Sequence, residues 1–562
     1  MKATGAARTA VTAVVAALPL AIVVYPAAVT LGRSLFPDGT FSLGLYADFV
    51  PFLDSPDLEA LEKSVLLSLA SVVLAGAIGV PLGLLLEWFD FPGKGILGSL
   101  LTLPVALPPL IGTLAFYFLY GESGIVPRGL EALLALDAVP FRLGGIPAVL
   151  LVHAYTLYVF FYLFTRAACR RLDRAAIEAA RSLGASGPSV LFRVILPLLF
   201  PAIAGAGLLV FMTSMASFSA PYIFATPERI LSLEIFHSRE RGDVARSLAQ
   251  TTVLTLASLG ALAVFRGAGG IGRAALEGHG IAPRRIGRKR PIATAAAAAA
   301  ATLLAILLLL PHLTVLLLSF AENGTWTTEV LPPRYTLENF AEFFRAILAL
   351  VREGAMPALL EPAGHSLWMT AAATAVNVVF GVAAAFVLVR YRPRGSKWIE
   401  ATILLAWALP GTAVAVNLLT AFPNLAGTVA VLPLAYVVRN LPVLVRSSST
   451  SLAQVPPSLE EAARGLGHGR AGTFRRVLLP LVMPGVLAGA LLVFVTTLGE
   501  FVATILLYTP RNVPISMQIA ADFREYNFGS AAAYGVVLLV LIVLALFASR
   551  RFFGRGVGLA GG

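Results

Sequence analysis

The chain has 562 residues, 58% of them apolar and only 13% charged, with a net charge of +12. A soluble domain carries about a quarter charged residues and under half apolar ones, so this chain cannot hide its apolar surface within itself and takes lipid as part of its solvent. The positive charge does not point to nucleic acid, because no aromatic residues are interleaved with the basic run.

A helix needs roughly 20 mostly apolar residues to cross the hydrocarbon of a bilayer. The first such window is Val11–Leu31. It has the look of a cleaved leader, but its length and the lack of an A-x-A site before a polar start predict a retained helix. Windows follow at Ser64–Leu86 and Ile96–Tyr120, then a loop-like stretch at Gly121–Pro147 containing Gly121, Gly124, Gly144 and Gly145. Ala148–Thr165, Pro197–Phe224 and Leu248–Phe265 complete a first set. A basic stretch with Arg284, Arg285, Arg288, Lys289 and Arg290 precedes a second set at Ile292–Phe320, Ser366–Val389, Trp398–Ala421, Gly427–Val445, Leu478–Tyr508 and Ala531–Ala548. The expected fold is all-α, a polytopic membrane protein of about twelve helices. With the N-terminus on the cytoplasmic side, most Lys and Arg fall on cytoplasmic segments, which predicts both termini inside and the basic stretch as a topological anchor.

The two sets are copies of one another. Glu178-Ala179-Ala180-Arg181-Ser182-Leu183-Gly184 recurs as Glu461-Ala462-Ala463-Arg464-Gly465-Leu466-Gly467, and Arg193-Val194-Ile195-Leu196-Pro197 recurs as Arg476-Val477-Leu478-Leu479-Pro480. Both keep an offset of 283 residues, read directly from the numbering. Earlier in each half the offset is 302, as in Ser64 and Ser366, Gly79 and Gly381, and Leu107-Pro108 and Leu409-Pro410. The first half therefore carries the extra stretch at Gly121–Pro147, either an extracytoplasmic docking surface or a tolerated loop. About six crossings per half return the chain to its starting side, so the duplication is parallel; inverted repeats need an odd number.

Each repeated loop contains a short amphipathic stretch. Leu172, Ala176, Ala179 or Ala180, and Leu183 share one helical face, as do Leu459, Ala463 and Leu466. Too short to span, the stretch suits a helix lying beside the membrane and presenting one side to a partner. Gly184 and Gly467 fit its end, where a left-handed residue turns the chain. The pattern E-A-A, three residues, G, then twelve residues to L-P resembles the EAA loop of ABC importer permeases, and it occurs twice, at Glu178–Pro197 and Glu461–Pro480.

That resemblance implies the type I importer permease fold, in three parts: a first half at 1–265 with its EAA loop at 172–197, a basic cytoplasmic linker at 266–291, and a second half at 292–562 with its EAA loop at 455–480. It implies a multi-pass protein of the inner (cytoplasmic) membrane. It also implies that Glu178, Ala179, Ala180, Gly184, Glu461, Ala462, Ala463 and Gly467 mark the contact with an ATPase, two copies of which would drive the permease, and that an extracytoplasmic binding protein delivers the solute. The alternative for Glu178 and Glu461 is a local pairing with Arg181 and Arg464. The chain encodes no motor. A phosphate-binding loop needs G-x-x-x-x-G-K-[ST] after a strand, and Gly93-Lys94-Gly95 lacks the first glycine, the hydroxyl and the strand. The chain is thus expected to be non-catalytic and to hold no cofactor, with ATP and Mg on the partner subunits.

Polar groups at membrane depth are costly and mark candidate path positions. Glu500 is the clearest, with Ser217 at the same place in the first half and Ser219 beside it. Glu500 either lines the path or hydrogen-bonds a neighbouring helix. Asn377 and Asn417 are weaker candidates, since a bond between helices explains each. His153 and Arg439 suit packing or snorkelling. The lone Cys169 forms no internal disulfide, and six histidines with no i, i+4 pair predict no dedicated metal centre. The fused arrangement resembles iron(III) and thiamine importers, with phosphonate and polyamine relatives nearby. Ser217-Phe218-Ser219-Ala220-Pro221 with Gly242-Asp243, and Ala435-Tyr436-Val437-Val438-Arg439-Asn440-Leu441-Pro442, look most like the iron(III) branch, which makes ferric iron the expected cargo. A gradient-driven secondary transporter is the rival; it would need a relay of ionisable groups through the bundle and leaves the twin loops unexplained.

Overall fold

The computed structural model describes residues 2–37, 39–50, 55–121, 124–269, 291–326, 329–354 and 356–553. The expected basic linker falls mostly on 270–290, outside the described residues. Among the described residues the regular secondary structure is helical and no strand forms; Ala321 and Tyr335 make an isolated bridge.

In the first half, α1 covers Arg8–Leu35, α2 Pro56–Trp88, α3 Pro109–Tyr120, α4 Ile125–Leu134, α5 Gly145–Cys169, α6 Arg174–Ser182, α7 Gly187–Met215, α8 Leu231–Glu240 and α9 Val244–Gly269. In the second half, α10 covers Pro291–Leu318, α11 Glu338–Glu353, α12 Ala358–Tyr391, α13 Ser396–Ala408, α14 Gly411–Ala421, α15 Val431–Ala453, α16 Pro457–Gly465, α17 Ala471–Leu498, α18 Ile515–Arg524 and α19 Phe528–Phe553.

Among the described residues, ten helical stretches are long and apolar enough to cross a membrane, counting α3 and α4 together as Pro109–Leu134, or eleven if the bent pair α13–α14 is one span. The remaining member of the expected dozen is α15. It is long enough, but Arg439, Asn440, Arg446 and Ser447–Ser449 dilute its hydropathy. Two windows were also too long. The spans end at Met215 and Leu498, and the chain beyond them folds into short turns at Ser219–Phe224 and Thr504–Leu507. The window Trp398–Ala421 is broken by 111° at Leu409-Pro410. Proline disfavours the helical conformation of the residue before it, and Leu409 takes ψ 121°. Leu107, before Pro108, takes ψ 127°, so both halves break their third span at the same dipeptide.

The repeat extends into packing. A Cβ on Gly79 would lie 2.6 Å from Phe161 Cβ, and one on Gly381 would lie 2.9 Å from Leu444 Cβ. These four residues are two equivalent pairs, at offsets of 302 and 283. Lipid tails are as apolar as leucine, so spans associate through close packing and bonds between helices, and a glycine that lets backbones approach is a direct contribution. The Ser64 hydroxyl accepts from the Leu231 amide at 2.9 Å, and its counterpart Ser366 accepts from Ile515 at 2.9 Å. Each bond ties the second span of its half to the short helix, α8 or α18, before the last span.

The halves exchange their first helices. Val15, Ile22 and Val23 of α1 are buried in a core with Met369, Phe380 and Leu432 of the second half. Leu308, Val315 and Leu318 of α10 are buried with Leu110, Leu114 and Tyr155 of the first half, and the Tyr155 hydroxyl donates to the Leu308 carbonyl at 3.0 Å. At the start of α2, Asp57 is buried and accepts from Arg246 Nε and Gln250 Nε2, both at 2.8 Å, so its charge is matched where α2 meets α9.

The insertion at Gly121–Pro147 is less loop-like than its glycines suggest. It contains the ten-residue α4, which ends at Ala135 with φ 50°. Gly129 faces Val330 of the second half, and between α4 and residues 329–335 runs an open groove of about 840 Å³.

Candidate coupling surface and translocation path

The two short helices α6 and α16 are built alike. Asp173 caps α6 by accepting from the Ala175 amide at 2.9 Å, whereas α16 begins on Pro457, whose missing N–H costs nothing at a first helical position. Each then ends in the same turn. Gly184 and Gly467 both take φ +83°. The Ala185 amide donates to Ala180 and the His468 amide to Ala463, both at 3.0 Å, which is the six-to-one closure of a Schellman motif. A Cβ on either glycine would meet nothing within 4 Å. Glycine is needed there for its backbone conformation, not for space.

The residue just before each glycine stands out. Leu183 is 88% exposed and Leu466 82% exposed. The expected apolar stripe is divided between two directions. Leu172 and Ile177 are buried against Val190, Ile195 and Leu199, while Ala176, Ala179 and Leu183 face outward. In the second loop Ala463 is buried, and Leu459 and Leu466 are exposed. Of the residues singled out by the resemblance, Glu178, Ala179, Glu461 and Ala462 are exposed, Ala180 is half-buried and Ala463 buried. Outward apolar positions beside the two glycines form a surface with no cover from the chain itself.

Beyond each turn lies the same deformation. Residues Leu191–Ile195 and Phe474–Leu478 form π-helical turns, with Leu196 donating to Leu191 and Leu479 to Phe474. Pro197 and Pro480 follow at once. A proline has no N–H for the carbonyl four residues back and crowds it, so the ladder widens by one residue there.

Ion pairs fix the spans at this face. Glu87 at the end of α2 accepts from Arg166 Nε at 2.8 Å and Arg170 Nε at 3.1 Å. In the second half the polarity is reversed. Arg390 at the end of α12 pairs with Glu460 at 2.5 Å and donates to the Val455 carbonyl at 2.7 Å. Glu460, adjacent to the motif residue Glu461, therefore tethers α16 to a span; its counterpart in the first half is the buried Ile177. Nothing in the sequence distinguished Glu460 from Glu461, because the pairing spans 70 residues of chain.

Deeper in the bundle, Ser217 belongs to a cluster around His153. The imidazole Nε2 lies 2.8 Å from Ser217 Oγ, and Nδ1 lies 2.9 Å from Ser71 Oγ and 3.2 Å from Ser214 Oγ. Hydroxyls both donate and accept, so either imidazole tautomer is satisfied. The cluster joins α2, α5 and the end of α7. Glu500 is buried, and its carboxylate accepts from the Ala503 and Thr504 amides, each at 3.1 Å, and from Thr504 Oγ1 at 2.8 Å. Arg439 Nε is 3.5 Å from its Oε1. Glu500 thus organises the turn after α17. The Ser219 hydroxyl, both amide atoms of Asn377 and the Asn417 amide nitrogen are buried with no hydrogen-bond partner.

Aromatic rings meet on the axis between the halves. Phe218 and Phe501 are equivalent, at the offset of 283, and their centroids are 6.0 Å apart. Tyr222 stacks on Phe218 at 5.4 Å and lies 5.8 Å from Phe501, and Phe236 stands 5.5 Å from Phe218. Both phenylalanines are shut off from solvent, at 0% and 1% exposure. Residues related by the repeat touch only on the axis that relates the halves. The centre of the bundle is therefore closed at this level. Sequence reasoning aimed at the polar neighbours of these rings and passed over them.

Residues 79–318 and 377–558 each match the family of binding-protein-dependent transport system inner membrane components. A probable ABC transporter permease of Sinorhizobium fredii is 30% identical over 88% of this chain and 88% of its own length. A ferric transport system permease of Actinobacillus pleuropneumoniae is 23% identical over 78% of the chain and 63% of its length, and an Fe(3+)-transport system permease of Haemophilus influenzae is 22% identical over 88% and 90%. Permeases named for sulfate and molybdenum align with 33% and 34% of the chain. With two matched copies and a relative aligned along nearly its whole length, the chain belongs to the binding-protein-dependent inner membrane permeases of ABC transporters, as a fused duplicate.

Proposed function

We propose that this permease carries ferric iron, delivered by an extracytoplasmic binding protein, and is driven by two copies of an ATPase docked on α6 and α16. The observation that carries the coupling role is the pair of matching helices, each ending on a left-handed glycine with an apolar residue uncovered beside it. ATP and Mg belong to the partner subunits. Both termini and both loops lie on the cytoplasmic side of the inner membrane. Glu178, Ala179, Ala180 and Gly184, with Glu461, Ala462, Ala463 and Gly467, form or shape the docking surface. Closure of the ATPase pair draws α6 and α16 together, and the motion passes through the π turns into α7 and α17, whose far ends hold Phe218 and Phe501. Parting those rings opens the path past Ser217, Ser219, Glu500, Asn377 and Asn417.

The iron reading is supported by the ferric permeases that align along most of this single chain, whereas the sulfate and molybdenum relatives align with 33% and 34% of it. Thiamine, phosphonate and polyamine remain the alternative cargoes. The test is ATP-dependent uptake by the complete complex in proteoliposomes with the binding protein loaded in turn with ferric iron, thiamine and sulfate. Uptake of ferric iron alone is expected. Uptake of another solute overturns the cargo and leaves the permease role standing. Uptake driven by a proton or sodium gradient without ATP would overturn both.

A further inference from the structure

We infer that α11 is an interfacial helix lying flat in the lipid headgroup region, on the side of the membrane opposite α6 and α16. The connection between the first two spans of the second half is longer than its counterpart. Ser34 and Ser319 are equivalent, each buried and donating to a carbonyl three residues back, at 2.8 and 2.7 Å. The offset is 285 there and 302 at Ser64 and Ser366, so 17 residues are added between them. That is one residue more than the length of α11, which has 16.

The added helix has three sides. One packs on the protein: Asn339, Phe343 and Ala346 are buried. Asn339 Nδ2 donates to the Ser319 and Ala321 carbonyls, both at 3.0 Å, and the Phe343 ring lies 4.9 Å from that of Tyr534. A second side is charged, with Glu338, Glu342, Arg345 and Arg352, and an ion pair joins Arg345 to Glu338. The third is apolar and uncovered: Leu337 is 70% exposed, Phe344 63%, Leu348 38% and Val351 77%. Spacings of seven, four and three residues put these four on one stripe.

The depth of the helix identifies what covers that stripe. Tyr534 is six residues into α19, about 9 Å below its start at 1.5 Å per residue. Packing on it holds α11 level with the first two turns of a membrane span, not out in water. The exposed apolar belt of α10 reaches the same level: Leu313 and Leu316 are 56% and 46% exposed, three to six residues before the Ser319 carbonyl that Asn339 holds. The stripe of α11 continues that belt. A helix with a charged side, an apolar side and a flank seated on protein is suited to the boundary between water and acyl chains.

Spin labels at single cysteines provide the test, in the full-length permease with Cys169→Ala, assembled with its ATPase in phosphatidylcholine–phosphatidylglycerol nanodiscs. Labels at Phe344→Cys, Leu348→Cys and Val351→Cys should be relaxed by oxygen severalfold more than by a water-soluble nickel chelate, and labels at Glu342→Cys and Arg345→Cys should show the reverse. Equal nickel accessibility at all five positions would place the helix in water and overturn the inference. Labels at the three apolar positions shielded from both relaxants, or shielded only after the binding protein is added, would assign the stripe to a protein partner and overturn it as well. All five side chains are exposed, so labelling leaves the packed flank intact.

Discussion

Phe218 and Phe501 hold the same position in the two halves and touch one another, with ring centroids 6.0 Å apart and almost no solvent exposure. Each follows directly on the residue that orders its own turn: Ser217 is bonded to His153, and Glu500 caps the turn at Thr504–Leu507. The contact therefore sits just beyond the end of two spans whose other ends emerge from the repeated loops that hold α6 and α16.

Removing one ring should open a leak. Phe501→Ala in proteoliposomes is expected to allow solute flux without ATP, while Phe501→Leu, which keeps most of the volume, should stay sealed. A tight Phe501→Ala permease would place the closure elsewhere.

The glycine turns should tolerate size badly for a backbone reason. Left-handed conformation costs an L-residue about 1–2 kcal/mol, and asparagine bears it best. Gly184→Ala and Gly467→Ala should lower ATPase stimulation by the loaded binding protein, and the asparagine variants should recover part of it. Alanine and asparagine behaving alike would argue against strain as the cause.

A separate expectation concerns Leu183 and Leu466. Leu183→Asp and Leu466→Asp should weaken binding of the purified ATPase without lowering the melting temperature of the permease, because neither side chain is packed. Co-purification yield and thermal melting separate the two effects.

The Arg390–Glu460 pair is about 15% exposed on each side, between the surface and interior limits. Glu460→Ala should cost about 1–3 kcal/mol, read as a lower melting temperature in detergent. Arg390→Glu combined with Glu460→Arg should restore part of the loss; no recovery would mean that the Val455 carbonyl bond matters more.

Burial raises the carboxyl of Asp522, on α18, from its ordinary 3.8 to about 6, and the bond from Gln518 at 3.0 Å only partly opposes this. The native state thus binds the proton more tightly than the unfolded chain. The associated stability is fully present below about pH 4 and is lost as pH rises through about 6. Asp522→Asn should melt higher than the parent at pH 8, with the gap closing toward pH 4. A gap independent of pH would refute the assignment.

Much of this protein is written locally in its sequence. The membrane class follows from composition, the parallel duplication from the repeated motifs, and the left-handed ends at Gly184 and Gly467 from local backbone chemistry; the breaks at Leu107-Pro108 and Leu409-Pro410 have an equally local cause, which the apolar windows Ile96–Tyr120 and Trp398–Ala421 passed over. What the sequence left open is directional. The window Gly427–Val445 reads as a span although arginine, asparagine and serine dilute the hydropathy of α15, and helical spacing puts Leu172 and Leu183 on one face although one is buried and the other faces out. In a bilayer both the lipid side and the protein side of a span are apolar, so hydrophobicity marks which segments are immersed but not which faces pack together. Tertiary structure alone decided the exchange of α1 and α10, the choice of Glu460 over Glu461, and the meeting of Phe218 with Phe501. Those relationships join residues tens to hundreds of positions apart, and only packing brings them within reach.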